Sequence, residues 1–125
     1  MIVLDSSAVL AVALREPGAA AVHAELSDAV LSTANLAEIL TVAERNGFDS
    51  DEIFRLIVDL GVPLVPVGAQ HARIAAKLWS AGRRLNLSLG DRVCLALALE
   101  QNATVLTSDR EMTRLQAGIS VRLFR

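Results

Sequence analysis

Apolar residues in this chain form short uninterrupted runs, not the alternating pattern of a half-exposed strand. Such runs are typical of strands that are buried on both faces. One of them contains Pro66, which cannot donate a hydrogen bond to a neighbouring strand, so we predict that this strand lies at an edge of the sheet. The predicted strands are 2–4, 29–31, 64–67, 104–106 and 120–123.

Segments with helical patterning separate these runs. The segment 91–101 is apolar nearly all round, which predicts a buried helix. Because strands and helices alternate, we predict an α/β fold: a three-layer α/β/α sandwich with a mainly parallel, roughly five-stranded sheet. The predicted helices are 8–15, 19–26, 33–46, 50–60, 69–81 and 91–101, with a short helix near 110–116.

Length and composition limit the possible classes of protein. The 125 residues, of which 53% are hydrophobic, predict a single domain spanning 1–125. The longest apolar runs have seven residues, far fewer than the roughly 20 that cross a bilayer, so no membrane association is expected. A secretion signal begins with basic residues, and none precedes Arg15, so the sequence indicates no such signal. The single cysteine, Cys94, has no partner for an internal disulfide, which fits a reducing compartment. We therefore expect a cytoplasmic protein.

The net charge of −2 provides no general attraction for nucleic acid, so any such contact requires a local basic patch or metal ions. Residues 71–92 contain five basic side chains and one acid. This stretch predicts a rim that binds RNA phosphates, although a solvated helix face explains Arg73 and Lys77 equally well. The candidate RNA-binding residues are Arg83, Arg84 and Arg92.

Acidic residues follow two of the predicted strands, at the point where each strand ends. Asp5 comes directly after 2–4, and Asp109 follows 104–106 through two hydroxyl residues. The carboxyl ends of parallel strands share one edge of the sheet, where ligands bind in open α/β folds. We therefore expect these two carboxylates to lie on the same edge.

Two further acids are expected at that edge. Glu38 lies in the first turn of the helix that leaves strand 29–31, and Asp91 begins the helix that leads into strand 104–106. A helix that leads into a parallel strand runs antiparallel to it, so it begins at the carboxyl edge. Two carboxylates about 5 Å apart repel by roughly 3 kcal/mol at an effective dielectric near 20, which predicts a cation among the four acids.

The expected ligands are oxygen atoms, which favour Mg²⁺ or Mn²⁺, whereas a zinc site would favour nitrogen or sulfur. Hydroxyl groups near the acids can hold metal-bound water or orient the carboxylates, and the predicted supporting groups are Ser6, Ser7, Thr107 and Ser108. Each acid also has a simpler interpretation. Asp5, Asp91 and Asp109 fit helix N-caps, and Glu38 fits a capping box with Asn35.

At these residues the chain resembles the PIN-domain family, and within it the VapC-type ribonuclease toxins of bacterial and archaeal toxin–antitoxin pairs. The similarity covers essentially the whole chain. Met112 stands near a position where the family often has an aromatic residue. The segments that carry the resemblance are IVLDSSAVLA at the start, NLAEIL around Glu38, LSLGDRVCLALA around Asp91, and ATVLTSD ending at Asp109.

The resemblance implies a Mg²⁺- or Mn²⁺-dependent endoribonuclease that hydrolyses RNA phosphodiester bonds with a metal-activated water. Carried over to this chain, the catalytic and metal-binding acids are Asp5, Glu38, Asp91 and Asp109, with Ser6 or Thr107 as supporting polar groups. The resemblance also implies a cognate antitoxin that keeps the protein inactive, and a homodimer.

The alternative to an endoribonuclease is a protein of another functional class: a non-enzymatic PIN-like binding module that retains the metal site. Two other enzyme classes fit poorly. A phosphotransferase of the haloacid-dehalogenase kind needs a second Asp where Ser7 stands. A dinucleotide-binding domain needs a glycine-rich turn after the first strand, and residues 5–14 contain no glycine.

Overall fold

A computed structural model describes residues 1–125 and contains one five-stranded sheet. The strand order is β3-β2-β1-β4-β5, and every neighbouring pair is parallel. The predicted parallel sheet is therefore confirmed, and the strand that precedes Pro66 lies at its edge. The strands are β1 (Ile2–Leu4), β2 (Ala29–Ser32), β3 (Leu64–Val65), β4 (Thr104–Thr107) and β5 (Ser120–Leu123).

Seven α-helices and three short 3₁₀ helices connect the strands. The α-helices are α1 (Ser6–Ala13), α2 (Ala19–His23), α3 (Thr33–Arg45), α4 (Ser50–Asp59), α5 (Ala69–Lys77), α6 (Trp79–Gly82) and α7 (Leu89–Gln101). The 3₁₀ helices are Leu26–Asp28, Arg83–Leu85 and Arg110–Arg114.

The observed helices differ from their predicted bounds by one to three residues, and the strand predicted at 64–67 ends at Val65. Two of the helix differences have a clear local cause. The predicted helix 69–81 is broken at Leu78, whose side chain is buried and whose ψ angle of −7° separates α5 from α6. Helix α7 begins at Leu89, two residues earlier than expected, because the Ser88 hydroxyl accepts a hydrogen bond from the Asp91 amide and caps the helix. Asp91 is therefore the third residue of α7 and not its N-cap.

The helices cover both faces of the sheet and form the three predicted layers. Ile2 and Leu4 of β1 pack in one core with side chains of α1 to α4, whereas Val3 packs in a second core with side chains of α7. Alternate residues of a strand point to opposite faces, so a strand of three apolar residues contributes to both cores.

Helix α7 is buried between the sheet and α5. Six consecutive residues, Val93–Ala98, are buried, as the apolar pattern predicted. Cys94 is among them and is a free, buried thiol. Because both sides of the helix are packed, its first turn is held firmly at the carboxyl edge of the sheet. None of the helices combines the length and the hydrophobicity that a membrane span requires.

Candidate acidic site

Asp5 follows β1 at the carboxyl edge of the sheet and is only 4% exposed. Its Oδ2 accepts hydrogen bonds from Ser7 Oγ at 2.7 Å and from Thr107 Oγ1 at 2.8 Å, while Oδ1 accepts none. Although Asp5 occupies the N-cap position of α1, its side chain makes no capping hydrogen bond. The N-cap interpretation therefore does not explain this buried carboxylate.

Glu38 extends from α3 towards the start of α7. Its Oε1 accepts hydrogen bonds from Ser6 Oγ at 2.7 Å and from Asn35 Nδ2 at 2.9 Å. The capping-box interpretation is wrong, because the N-cap of α3 is Ser32, whose hydroxyl accepts from Ala34 N.

Gly90 in the first turn of α7 lies directly against the Glu38 carboxylate. A Cβ atom added to Gly90 would lie 2.2 Å from Glu38 Oε2, well inside van der Waals contact. The backbone of Gly90 thus forms one wall around this carboxylate, and any larger residue there would have to displace it.

Asp91 is anchored by the start of its own helix. Its Oδ2 accepts a hydrogen bond from Ser88 N at 2.8 Å, and Ser88 Oγ accepts one from Asp91 N at 3.1 Å. The pKa of Asp91 is raised to about 6, mainly by burial and also by the charges of Asp5 and Glu38, while the hydrogen bonds with Ser88 act in the opposite direction. Asp5, Glu38 and Asp91 therefore form one electrostatically coupled group.

Asp109 is connected to this group through Thr107. Its backbone N donates to Thr107 Oγ1 at 3.0 Å, and the Thr107 hydroxyl also bonds Asp5. The Asp109 side chain caps the following 3₁₀ helix, since Oδ1 accepts from Glu111 N at 3.0 Å. The capping interpretation is thus confirmed for Asp109, and its charge is not among those that raise the pKa of Asp91.

Two polar residues that contact the acids were missed by the sequence analysis as members of this site. Asn35 lies three residues before Glu38 and Ser88 three residues before Asp91, so each reaches the acid from one helical turn away. Ser88 and Asp91 form a capping box, a signal present in the sequence S-L-G-D. Of the predicted supporting hydroxyls, Ser6 contacts Glu38, and Thr107 contacts Asp5.

The acids have no cationic partner in the protein. Five ion pairs form elsewhere, and none includes any of the four predicted acids. The donor set is all oxygen, as Mg²⁺ and Mn²⁺ prefer, and Asn35 Oδ1 is a further buried oxygen without a hydrogen-bond donor. The residue types fit a divalent ion, although no group of three or more His, Cys, Asp or Glu side chains is arranged to hold one in this structure.

The three predicted RNA-binding arginines have different surroundings. Arg92 Nη1 donates to Ala75 O at 2.7 Å, and its Nε is buried, so this guanidinium is engaged within the fold. Arg83 stacks on the exposed ring of Trp79, 5.0 Å from its centroid. Arg84 is exposed and lines a groove of about 370 Å³ together with Arg114, a residue that the sequence analysis did not single out.

Comparison with known proteins adds a family match and several similar folds. The family model for the PIN domain matches residues 2–118. The chain is similar to a chain in the crystal structure of DNA-bound VapBC from Salmonella typhimurium, with a TM-score of 0.79, 16% identity and coverage of 99% of this chain and 98% of that chain.

Two further solved structures are similar over nearly their whole length. VapBC2 from Rickettsia felis, bound to a promoter DNA fragment, matches with a TM-score of 0.77, 13% identity and 98% coverage of both chains. VapBC-1 from nontypeable Haemophilus influenzae matches with a TM-score of 0.73, 19% identity and coverage of 99% of this chain and 98% of that chain. No curated protein matches the sequence. At these identities the structural similarity shows a common fold.

Proposed function

Because this chain belongs to the PIN domain family, we propose that it is a metal-dependent endoribonuclease and the toxin of a toxin–antitoxin pair. The observation that carries the proposal is the placement of three carboxylates, Asp5, Glu38 and Asp91, at the carboxyl edge of the sheet, where only neutral donors bind them. They come from three distant segments and have no cationic partner. Similar solved structures are described as VapBC complexes, which supports the toxin assignment.

Mg²⁺ or Mn²⁺ is the proposed ion, with Asp5, Glu38 and Asp91 as its ligands, directly or through water. Asp109 orients the attacking water or a second ion. A bound divalent ion lowers the pKa of water and stabilises the charge that develops on the leaving oxygen.

The residues around the acids keep these oxygens in place. The hydroxyls of Ser7 and Thr107 donate to one oxygen of Asp5 and leave the other oxygen free. The backbone N–H of Ser88 likewise donates to one oxygen of Asp91 and leaves the other free. Fixing one oxygen of each carboxylate lowers the cost of ordering the other when it binds a ligand.

Arg84 and Arg114 are the proposed contacts for RNA phosphates. They line the same groove, between the 3₁₀ helix that leads towards Ser88 and the one that follows Asp109. In the chain, the first of these segments precedes Asp91 by six residues and the second directly follows Asp109. Guanidinium groups bind phosphate oxygens in pairs of hydrogen bonds and so position the strand without reading its sequence. Arg83 extends this basic surface.

The proposed protein partners are a cognate antitoxin and a second copy of the chain. Phe54 and Val58 lie four residues apart on α4 and are 38% and 52% exposed, so they form an apolar pair on one face of the helix. Exposed apolar side chains on one face are typical of surfaces that bind another protein, and we assign this face to the antitoxin.

The decisive experiment is cleavage of total cellular RNA by purified, antitoxin-free protein with Mg²⁺, Mn²⁺ or EDTA. We expect discrete cuts that require the ion. Asp5→Asn is expected to lower the rate by at least about 100-fold, since a ligand contributes at least as much as the groups that orient it. Asp28→Asn, which changes an acid outside the site, serves as the matched control.

Cuts that survive EDTA or Asp5→Asn would contradict the proposed mechanism. If the folded wild-type protein makes no cuts at all, the alternative of a non-enzymatic PIN-like binding module is supported instead. Circular dichroism of each variant establishes that it is folded.

A further inference from the structure

Asn35 is a fully buried polar side chain inside the site that the acids form. It lies in the first turn of α3, with no exposed surface, and its amide contacts three segments of the chain. Nδ2 is 2.9 Å from Glu38 Oε1, 3.1 Å from Ser6 Oγ of α1 and 3.5 Å from Gly90 O of α7. Asn35 therefore connects the helices that carry Glu38 and Asp91 with the start of α1.

The orientation of the Asn35 amide follows from the chemistry of its neighbours. A carboxylate and a backbone carbonyl only accept hydrogen bonds, so the NH₂ group must face Glu38 and Gly90. The opposite orientation would place the amide oxygen against the Glu38 carboxylate. The Ser6 hydroxyl completes the arrangement, because it donates to Glu38 Oε1 and accepts from Asn35 Nδ2.

The other end of the amide has no partner in the protein. Asn35 Oδ1 is buried and accepts no hydrogen bond. Burying an acceptor without a donor is destabilising, so the Oδ1 of Asn35 carries a cost that the hydrogen bonds of Nδ2 must offset. Asn35 is also not needed to begin α3, since Ser32 caps that helix. The Asn35 amide therefore contacts Glu38, Ser6 and Gly90 and does not serve the start of the helix.

We propose that Asn35 is a positioning residue: its amide holds one oxygen of Glu38, against the wall formed by Gly90, so that the other oxygen is presented to a divalent ion. Two donors, Asn35 and Ser6, bind Glu38 Oε1, whereas Oε2 has only a long contact of 3.4 Å from Ser88 Oγ. The inference rests on the proposed function, because it assigns Glu38 a ligand role.

The test measures Mn²⁺ affinity by titration calorimetry and by the Mn²⁺-dependent rise in melting temperature. We expect Asn35→Ala to weaken Mn²⁺ binding by about 10- to 100-fold, as loss of a group that orients a ligand does. Ser32→Ala is the matched control: it removes a buried hydrogen bond from the same helix but does not touch Glu38. It is expected to lower the melting temperature and to change the affinity by less than about 2-fold.

A double-variant cycle separates positioning from a general structural effect. If Asn35 acts through Glu38, Asn35→Ala changes the affinity of the Glu38→Gln protein by less than about 2-fold, although it has a large effect on the wild type. An equal loss in both backgrounds would overturn the inference. Asn35→Ser, which keeps a short polar side chain, replaces Asn35→Ala if the latter does not fold.

The outcomes also distinguish this inference from the proposed function. A wild-type protein that binds no Mn²⁺ overturns both. A wild-type protein that binds Mn²⁺, together with an Asn35→Ala variant that binds it equally well, overturns the positioning role alone. Metal binding that depends on Asn35, in a protein that cuts no RNA, supports the positioning role and contradicts the nuclease assignment.

Discussion

The two ends of the β-sheet carry acidic residues in different surroundings. At the amino end, Asp28 precedes β2 and its carboxylate is 3.1 Å from the ammonium group of Met1, which precedes β1. At the carboxyl end, Asp5 follows β1, and its carboxylate is held by the hydroxyls of Ser7 and Thr107 without a cation. Asp28 is 71% exposed at its side chain, whereas Asp5 is 4% exposed.

The difference separates an acid whose charge is balanced by a cation of the protein from acids whose charges are not balanced. An exposed acid beside a cation is satisfied by the protein and by water, and its removal changes little. Asp5 is buried, Glu38 and Asp91 are half-buried, and all three receive only neutral hydrogen-bond donors. Burial and the charges of Asp5 and Glu38 raise the pKa of Asp91, so its charged form is disfavoured. A cluster of the second kind lowers the stability of the protein unless a cation joins it, so its presence is an argument for a ligand.

After Asp5→Asn, the largest effect that would sharpen this comparison is expected from Gly90→Ala. The new methyl group would lie 2.2 Å from Glu38 Oε2, so the carboxylate must move. Glu38 is the flexible end of a long side chain, and alanine is favoured over glycine within a helix by about 1 kcal/mol. We expect Mn²⁺ affinity and RNA cleavage to fall by about 10-fold while the melting temperature is maintained or rises.

Gly68→Ala is the matched control for this variant. Gly68 precedes α5, has no positive φ angle, and an added Cβ there would meet nothing within 4 Å. Its affinity and cleavage rate should equal those of the wild type. Full activity of Gly90→Ala would show that the position of Glu38 against the start of α7 is unimportant.

A smaller effect is expected from Asp91→Asn on the stability of the metal-free protein. The pKa of Asp91 is raised from 3.8 to about 6, so its charged form is less favourable in the folded protein than in the unfolded chain. Asparagine keeps an acceptor for Ser88 N and removes the charge. After allowance for solvent screening, we expect the free energy of unfolding at pH 7.5 to increase by about 1 kcal/mol.

The pH dependence provides the internal control for Asp91→Asn. Between about pH 4 and pH 6 the folded protein binds a proton at Asp91 more readily than the unfolded chain does. The free energy of unfolding therefore falls as the pH rises through this range, and the full loss is present above about pH 6. The difference in the free energy of unfolding between Asp91→Asn and the wild type should therefore be smaller at pH 4.5 than at pH 7.5. Denaturation curves recorded in EDTA measure it. If Asp91→Asn raises the free energy of unfolding by the same amount at both pH values, the charge of Asp91 is not the cause of the increase.

Much of the fold was predictable because the deciding signals are local. The short apolar runs predicted the parallel strands, and Pro66 predicted that one of them lies at the edge of the sheet. The apolar segment from Val93 to Ala98 predicted a helix that is packed on both sides. The break at Leu78 was not predictable, since the segment around it retains helical patterning and the break accompanies the burial of that one side chain.

The acidic site was only partly predictable, for a similar reason. The ends of strands and the starts of helices placed Asp5, Glu38 and Asp91 at one edge. The contacts of Asn35 with Ser6 and Gly90 join residues 29 and 55 positions apart in the chain, and only tertiary packing determines them. Likewise, nothing in the sequence of residues 83–92 distinguishes Arg92, which bonds the Ala75 carbonyl, from Arg84, which lines the groove.

The smallest effect should come from Asp28→Asn at the amino end of the sheet. Its pair with the Met1 ammonium is exposed at both partners, so solvent and salt screen the attraction. We expect the free energy of unfolding to fall by about 0.5 kcal/mol or less at low salt, and by still less in 0.5 M NaCl, with cleavage unchanged. Denaturation curves at the two salt concentrations measure this. A loss of several kcal/mol, or any loss of cleavage, would contradict the distinction between the two ends. It would mean that an exposed, paired acid matters as much as Asp5, which is buried and has no cationic partner.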